Sequence, residues 1–166
     1  LLCPGFDGKS KYTAKEAVST YIEQGGEIFE KSFGHSIVSA GGITDEKYKA
    51  SNLENILKEK LGVDLWLSSL LKPCLITAYD IENRRATFFN KTDASLPKNN
   101  FKVWEIARAT SAAPTYFEAA QITSEAGDKL TLVDGGVFAN NPALCAYAEA
   151  RKYFKKTLNK NISAKD

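Results

Sequence analysis

The most informative segment of the chain is Leu132-Val133-Asp134-Gly135-Gly136-Val137-Phe138-Ala139-Asn140-Asn141-Pro142. Its apolar start predicts a buried strand that ends at Val133. Asp134 follows directly, so its carboxylate is expected at the end of a strand, where ligands commonly approach a sheet. Gly135 and Gly136 permit positive φ angles and are expected to keep the next turn open. An Asp-Gly pair is also a common turn signal, so a purely structural turn is the alternative.

Helical spacing occurs on both sides of this segment. Asn141 offers an N-cap and Pro142 a first-turn proline, which together predict a helix near the end of the chain. Upstream, apolar residues at helical spacing predict another helix over residues 103–112, and Pro114 limits its extension. The residues expected to face inward from the last helix are Leu144, Tyr147 and Ala148.

Two further amphipathic helices are predicted in the first half of the chain. Thr13-Ala14-Lys15-Glu16 matches the capping box at the start of the first helix, and Gly25-Gly26 supplies its end. Ser51-Asn52-Leu53-Glu54 matches the same pattern ahead of the second helix, which Gly62 closes. Because each helix carries an apolar face, each is expected to cover other structure. The apolar residues are Ala14, Ala17, Val18, Tyr21 and Ile22 in the first helix, and Leu53, Ile56, Leu57 and Leu61 in the second.

Four apolar runs predict the strands of a sheet. The first two runs are separated by polar residues that favour a hairpin turn. Together with the helices, they predict an α/β fold with a central mixed sheet flanked by helices. No repeat or linker divides the sequence, so residues 1–166 are expected to form a single domain. The predicted strands are residues 74–79, 86–89, 117–122 and 130–133.

Composition and charge narrow the classes of function. The 22 Lys and Arg residues against 20 Asp and Glu residues give a net charge of +2, which provides no strong field for a polyanion. We therefore predict no nucleic-acid partner.

No run approaches the roughly 20 apolar residues of a membrane-spanning helix. The three cysteines, Cys3, Cys74 and Cys145, lie far apart without C-x-x-C spacing, which favours reduced thiols and a cytoplasmic location.

Few other residues offer catalytic or metal chemistry. His35 is the only histidine, which excludes multi-histidine metal sites, and its loop-like surroundings favour a surface or structural role. No serine lies in a G-x-S-x-G nucleophile motif. A metal-dependent hydrolase that uses Asp80, Asp93 and Asp134 is a weaker alternative, because these carboxylates lack a recurring spacing.

Two stretches taken together resemble the patatin-like phospholipase family. They are Trp104-Glu105-Ile106-Ala107-Arg108-Ala109-Thr110-Ser111-Ala112-Ala113-Pro114-Thr115-Tyr116-Phe117 and the later Asp134-Gly135-Gly136. Thr77-Ala78-Tyr79-Asp80 is similar to the middle region of that family, and the similarity extends from near Lys11 to the last helix. The resemblance implies an α/β sheet sandwiched by helices, hydrolysis of lipid acyl esters, and a serine/aspartate dyad in which Asp134 is the aspartate.

The family's glycine-rich oxyanion loop and its G-x-S-x-G serine precede the region that this sequence represents. We therefore expect the chain to be the C-terminal portion of a catalytic domain, incomplete at its N-terminal side and inactive by itself. The implied substrate is a phospholipid or another acyl-ester lipid, with transient membrane-surface contact and no metal or organic cofactor. An uncovered sheet edge is expected to permit homo-oligomers. The alternative is a non-catalytic lipid-binding or interaction module that lacks the nucleophile.

Overall fold

The computed structural model describes residues 2–29, 48–159, 161 and 163. Helices and strands pack together in an α/β arrangement, which confirms the predicted fold class. His35 lies outside the described residues. The helices are α1 (Ala14–Ile28), α2 (Ala50–Leu61), α3 (Val103–Thr110) and α4 (Pro142–Leu158), and the strands are β1 (Leu75–Asp80), β2 (Arg85–Asn90), β3 (Ala120–Thr123) and β4 (Lys129–Asp134).

The sheet has the strand order β2-β1-β4-β3. The predicted hairpin between β1 and β2 is confirmed, with Leu75 opposite Asn90 and Asp80 opposite Arg85. Every pairing among the described strands is antiparallel, whereas a mixed sheet was predicted. The few residues that join β1 to β2 and β3 to β4 permit only antiparallel pairing, which explains two of the three pairs.

Asp80 organises the turn between β1 and β2. Its Oδ1 accepts hydrogen bonds from the amides of Glu82 at 3.1 Å and Asn83 at 3.0 Å, and its Oδ2 accepts one from Asn83 Nδ2 at 2.8 Å. Arg85 Nε lies 3.4 Å from Oδ2. Burial opposes ionisation of the Asp80 carboxyl, but the hydrogen bonds from Asn83 and the charge of Arg85 outweigh it and lower the pKa. Asp80 is therefore a structural residue of the hairpin.

Helix α2 packs against α3 and contributes Leu53 and Ile56 to the buried interior, as predicted. Its start differs from the prediction, because Lys49 is the N-cap and no side chain caps the helix. Ser51 lies inside the first turn, and the carboxylate of Glu54 pairs with Lys58 at 3.4 Å and with Arg108 at 3.5 Å. Ser51 and Glu54 therefore do not form the predicted capping box.

Helix α1 begins with the predicted capping box. The Glu16 amide donates to Thr13 Oγ1 at 3.3 Å, and the Thr13 amide donates to the Glu16 carboxylate at 2.8 Å. The predicted end at Gly25-Gly26 is wrong, since neither glycine has a positive φ and the helix continues to Ile28. No residue of α1 is buried, and its apolar residues Val18, Tyr21 and Ile22 are 58%, 70% and 72% exposed. The prediction that this face covers other structure is therefore wrong for the described residues.

Helix α4 starts as predicted, with Pro142 in the first turn and Asn141 Oδ1 accepting from the Leu144 amide at 3.3 Å. Leu144 and Ala148 are nevertheless exposed, so two of the three residues predicted to face inward do not. Tyr147 is partly buried.

Within the described segments, no helix combines the length and apolar character needed to cross a bilayer.

Candidate active site

Asp134 is the last residue of β4 and is partly buried. It lies opposite Ala78 of β1, and its backbone amide donates a 3.0 Å hydrogen bond to the carbonyl oxygen of Ala112. Its Oδ1 accepts a 2.7 Å hydrogen bond from the Gly136 amide. These contacts fix both the backbone and one carboxylate oxygen, so the strand end holds the carboxylate in a defined position.

Gly135 is buried against β1. A Cβ atom at this position would lie 2.5 Å from the carbonyl oxygen of Thr77 and closer still to Thr77 Oγ1. Neither Gly135 nor Gly136 has a positive φ, so the predicted conformational reason for these glycines is wrong. Gly135 is required for a different physical reason, because the turn after Asp134 passes directly against the backbone of β1.

The segment after α3 contacts the same part of the sheet. Thr110 Oγ1 donates to the carbonyl oxygen of Thr77 at 2.7 Å, and Ala112 accepts from the amide of Asp134. Thr77 is therefore a neighbour of both Thr110 and Gly135. The structure thus brings together the two stretches of sequence that carry the family resemblance.

Arg108 is a buried cation whose importance the sequence analysis missed. Its side chain is 3% exposed, Nη2 donates to the carbonyl oxygen of Glu118 at 2.8 Å, and Nε lies 3.5 Å from Glu54 Oε1. The guanidinium also lies 5.6 Å from the ring centre of Phe117. Burial lowers the pKa of Arg108, and the charge of Glu54 opposes that shift. The available signal was the helical spacing of α3, which puts Arg108 beside the apolar Ile106 and Ala109.

A cleft of about 600 Å³ opens between α1, α2 and the segment that follows α3. Its lining is mostly apolar, and Asp134 is the only carboxylate among the described residues that form it. Thr110 and Ser111 also reach the cleft. The apolar wall includes Ala17 and Ile28 of α1, Leu53, Ile56 and Leu57 of α2, and Phe117.

The three aspartates of the metal alternative are not grouped. The Asp80 carboxylate accepts hydrogen bonds within the turn between β1 and β2. Asp93 Oδ2 accepts a hydrogen bond from Asn90 Nδ2 at 2.7 Å. Across the part of the chain that the structure describes, no three His, Cys, Asp or Glu residues are placed to hold one metal ion. The hypothesis of a metal site formed by Asp80, Asp93 and Asp134 is therefore wrong.

Comparison with known proteins agrees with these features. The family model described as patatin-like phospholipase matches residues 10–147. "Patatin-like protein 2" of Oryza sativa subsp. indica is 35% identical over 161 residues, covering 92% of this chain and 40% of the relative. "Patatin-like protein 2" of Arabidopsis thaliana is 33% identical over 158 residues, covering 90% of this chain and 38% of the relative.

Another relative is named as a probable inactive protein. "Probable inactive patatin-3-Kuras 1" of Solanum tuberosum is 30% identical over 157 residues, covering 92% of this chain and 40% of the relative. The chain therefore spans about two fifths of the length of these curated relatives. The matched residues include both the segment around Ala112 and the Asp134-Gly135-Gly136 turn. The chain belongs to the patatin-like phospholipase family.

Proposed function

We propose that the chain is the aspartate-bearing, C-terminal part of a lipid acyl hydrolase domain. The observation that carries the proposal is the position of Asp134, a carboxylate held at a strand end within a mostly apolar cleft. A cleft of about 600 Å³ is of the size that commonly binds small organic ligands. Its apolar wall suits an acyl chain, and Asp134 supplies a base beside it. The proposed substrate is a phospholipid or another acyl-ester lipid.

In this mechanism, a serine from another segment of the complete protein attacks the carbonyl carbon of the ester. Asp134 accepts the serine proton and then donates it to the oxygen of the departing alcohol. Water next attacks the acyl-serine while Asp134 accepts one of its protons, and Asp134 then donates that proton to the serine oxygen as the carboxylic acid leaves, which restores both residues. Because Oδ1 accepts the Gly136 amide, we assign the proton transfers to Oδ2 of Asp134. Backbone amides would stabilise the oxyanion, and the chemistry requires no metal or organic cofactor.

A non-catalytic lipid-binding module is the second candidate. The naming of the Solanum tuberosum relative as inactive supports it, since that relative matches the same region of the chain. An apolar cleft can hold an acyl chain without a nucleophile. The two candidates differ in turnover, because a binding module retains a fatty acid but releases no product from an ester.

The test replaces Asp134 with Asn in the full gene product that contains this chain. Loss of a general base is expected to reduce ester hydrolysis roughly 10²- to 10⁴-fold, with an unchanged circular dichroism spectrum. Asp64→Asn is the matched control, because that carboxylate is 85% exposed and its ion pair is with Lys102 at the surface. Near-normal hydrolysis by folded Asp134→Asn protein would reject the assignment. Fatty-acid binding without hydrolysis by the unaltered protein would favour the binding module.

The chain by itself provides a second test. Residues 1–166 are expected to show no turnover of a short-chain nitrophenyl ester, because a base without its nucleophile leaves the covalent route closed. Turnover that Asp134→Asn abolishes would overturn this expectation, and its loss in Ser111→Ala as well would indicate that Ser111 attacks instead. We also propose a cytoplasmic location for the protein. Its three cysteines are free thiols, and reduced thiols are typical of that compartment.

A further inference from the structure

Residues 151–165 differ in charge from the rest of the sequence. Six of the 22 Lys and Arg residues lie within residues 151–165, which contain none of the 20 Asp and Glu residues. The remainder of the chain therefore has sixteen cationic residues against twenty anionic ones. The net charge of +2 thus combines a charge of +6 within residues 151–165 with a charge of −4 in the rest of the sequence.

Helix α4 arranges part of this charge on one side. Arg151, Lys152, Lys155 and Lys156 are all exposed. With 3.6 residues per turn, these four positions span an arc of about 140° around the helix axis. The aromatic residues Tyr153 and Phe154 fall outside that arc, are partly buried, and form an edge-to-face pair with ring centres 5.7 Å apart. We call the four cations the basic arc.

Little of this charge is neutralised within the described chain. Lys152 lies 3.5 Å from Glu149, with the lysine side chain 77% exposed, so this ion pair is weak and solvated. Arg151 lies over the ring of Tyr147 at 5.9 Å, which leaves its charge in place. No carboxylate follows Glu149 in the described part of α4. The basic arc therefore presents a concentrated positive charge to solvent.

We propose that the basic arc docks the protein on an anionic lipid bilayer. Four or more Lys and Arg residues on one side of a helix complement the negative surface potential of such a membrane. The inference rests on the proposed function in one respect, because a lipid substrate favours a bilayer over nucleic acid as the polyanion. Docking would hold the protein at the surface that contains its substrate. It requires neither the nucleophile nor Asp134, so binding and hydrolysis can be measured separately.

The experiment measures cosedimentation of the full gene product with vesicles. One set contains phosphatidylcholine alone, and the other contains phosphatidylcholine with phosphatidylserine. The test variant carries Lys152→Gln, Lys155→Gln and Lys156→Gln, which remove three charges while keeping similar helix propensity. The control variant carries Lys72→Gln, Lys98→Gln and Lys129→Gln, which remove three exposed charges elsewhere. A third variant replaces the same three α4 lysines with arginine.

The unaltered protein is expected to bind the anionic vesicles and not the neutral ones. Each charge removed from the arc should weaken partitioning about fivefold, so the test variant should lose nearly all binding. The control variant, the arginine variant and Asp134→Asn should bind like the unaltered protein. Equal loss in the test and control variants would overturn the proposal, because net charge alone would then explain binding. Tighter arc-dependent binding to a short RNA duplex than to the vesicles would also overturn it.

Discussion

Gly135 lies against Thr77 so closely that any side chain at position 135 would overlap the backbone of β1. An added Cβ would be 2.5 Å from the carbonyl oxygen of Thr77 and 2.6 Å from its carbonyl carbon. The same carbonyl oxygen accepts the hydroxyl of Thr110. Asp134 is next to Gly135 in the chain, so the position of its carboxylate depends on this close approach.

Gly135→Ala is expected to destabilise the fold and displace Asp134. The methyl group meets backbone atoms within a paired strand, which cannot move aside easily, so we expect a loss of about 3 kcal/mol, near the top of the range for overpacked sites. Urea unfolding measures the change. Gly26→Ala is the matched control, because nothing lies within 4 Å of an added Cβ there and alanine favours the α1 helix by about 0.5–1 kcal/mol. Equal stability of the two variants would contradict the close contact.

Replacing Glu54 and replacing Arg108 are expected to lower the free energy of unfolding by different amounts. Glu54→Gln removes the ion-pair partner of a guanidinium that is only 3% exposed, so we expect a loss of about 3 kcal/mol in the free energy of unfolding. Arg108→Met leaves Glu54, which is 31% exposed and can be hydrated. The double variant should recover part of the combined loss, with a coupling of about 1–2 kcal/mol in urea unfolding. Strict additivity would show that the two side chains do not interact.

Stability at acidic pH is expected to depend on Asp80. Hydrogen bonds from Asn83 and the charge of Arg85 lower its pKa in the folded protein despite burial, so the ionised carboxylate stabilises the fold above the unfolded pKa of about 3.9. That stabilisation is lost as the pH falls through the lower folded value. Asp80→Asn should cost about 2 kcal/mol at pH 7 and should weaken the acid dependence of the free energy of unfolding. A variant with an unchanged acid profile would contradict this role.

Self-association of residues 1–166 is expected through an edge of the sheet. Strands β2 and β3 end the described sheet, and Phe88 of β2 is 45% exposed. Unpaired strand edges tend to recruit another chain, and an edge lysine discourages this. Sedimentation should show dimers or larger species that Phe88→Lys reduces. Leu96→Lys is the control, since Leu96 is 52% exposed but lies outside the strands. A monomer at high concentration would refute the prediction.

Features set by near neighbours in the sequence were largely predictable. The Thr13 and Glu16 capping box, the Asn141 cap and the hairpin between β1 and β2 all formed as predicted. Each depends on groups within a few residues of one another. Among the local patterns, those wrongly predicted are Ser51 as a cap and Gly25-Gly26 as a helix end.

The existence of the four helices and four strands, and the family to which the chain belongs, followed from the sequence, because periodicity, caps and motifs are local properties. The sequence also placed Asp134 at the end of β4. The close approach of Gly135 to Thr77 and the pairing of the buried Arg108 with Glu54 are visible only in the folded structure. The exposure of the apolar residues of α1 beside the cleft is likewise visible only in the folded structure. These outcomes depend on contacts between segments far apart in the chain, whose relative positions no local pattern encodes.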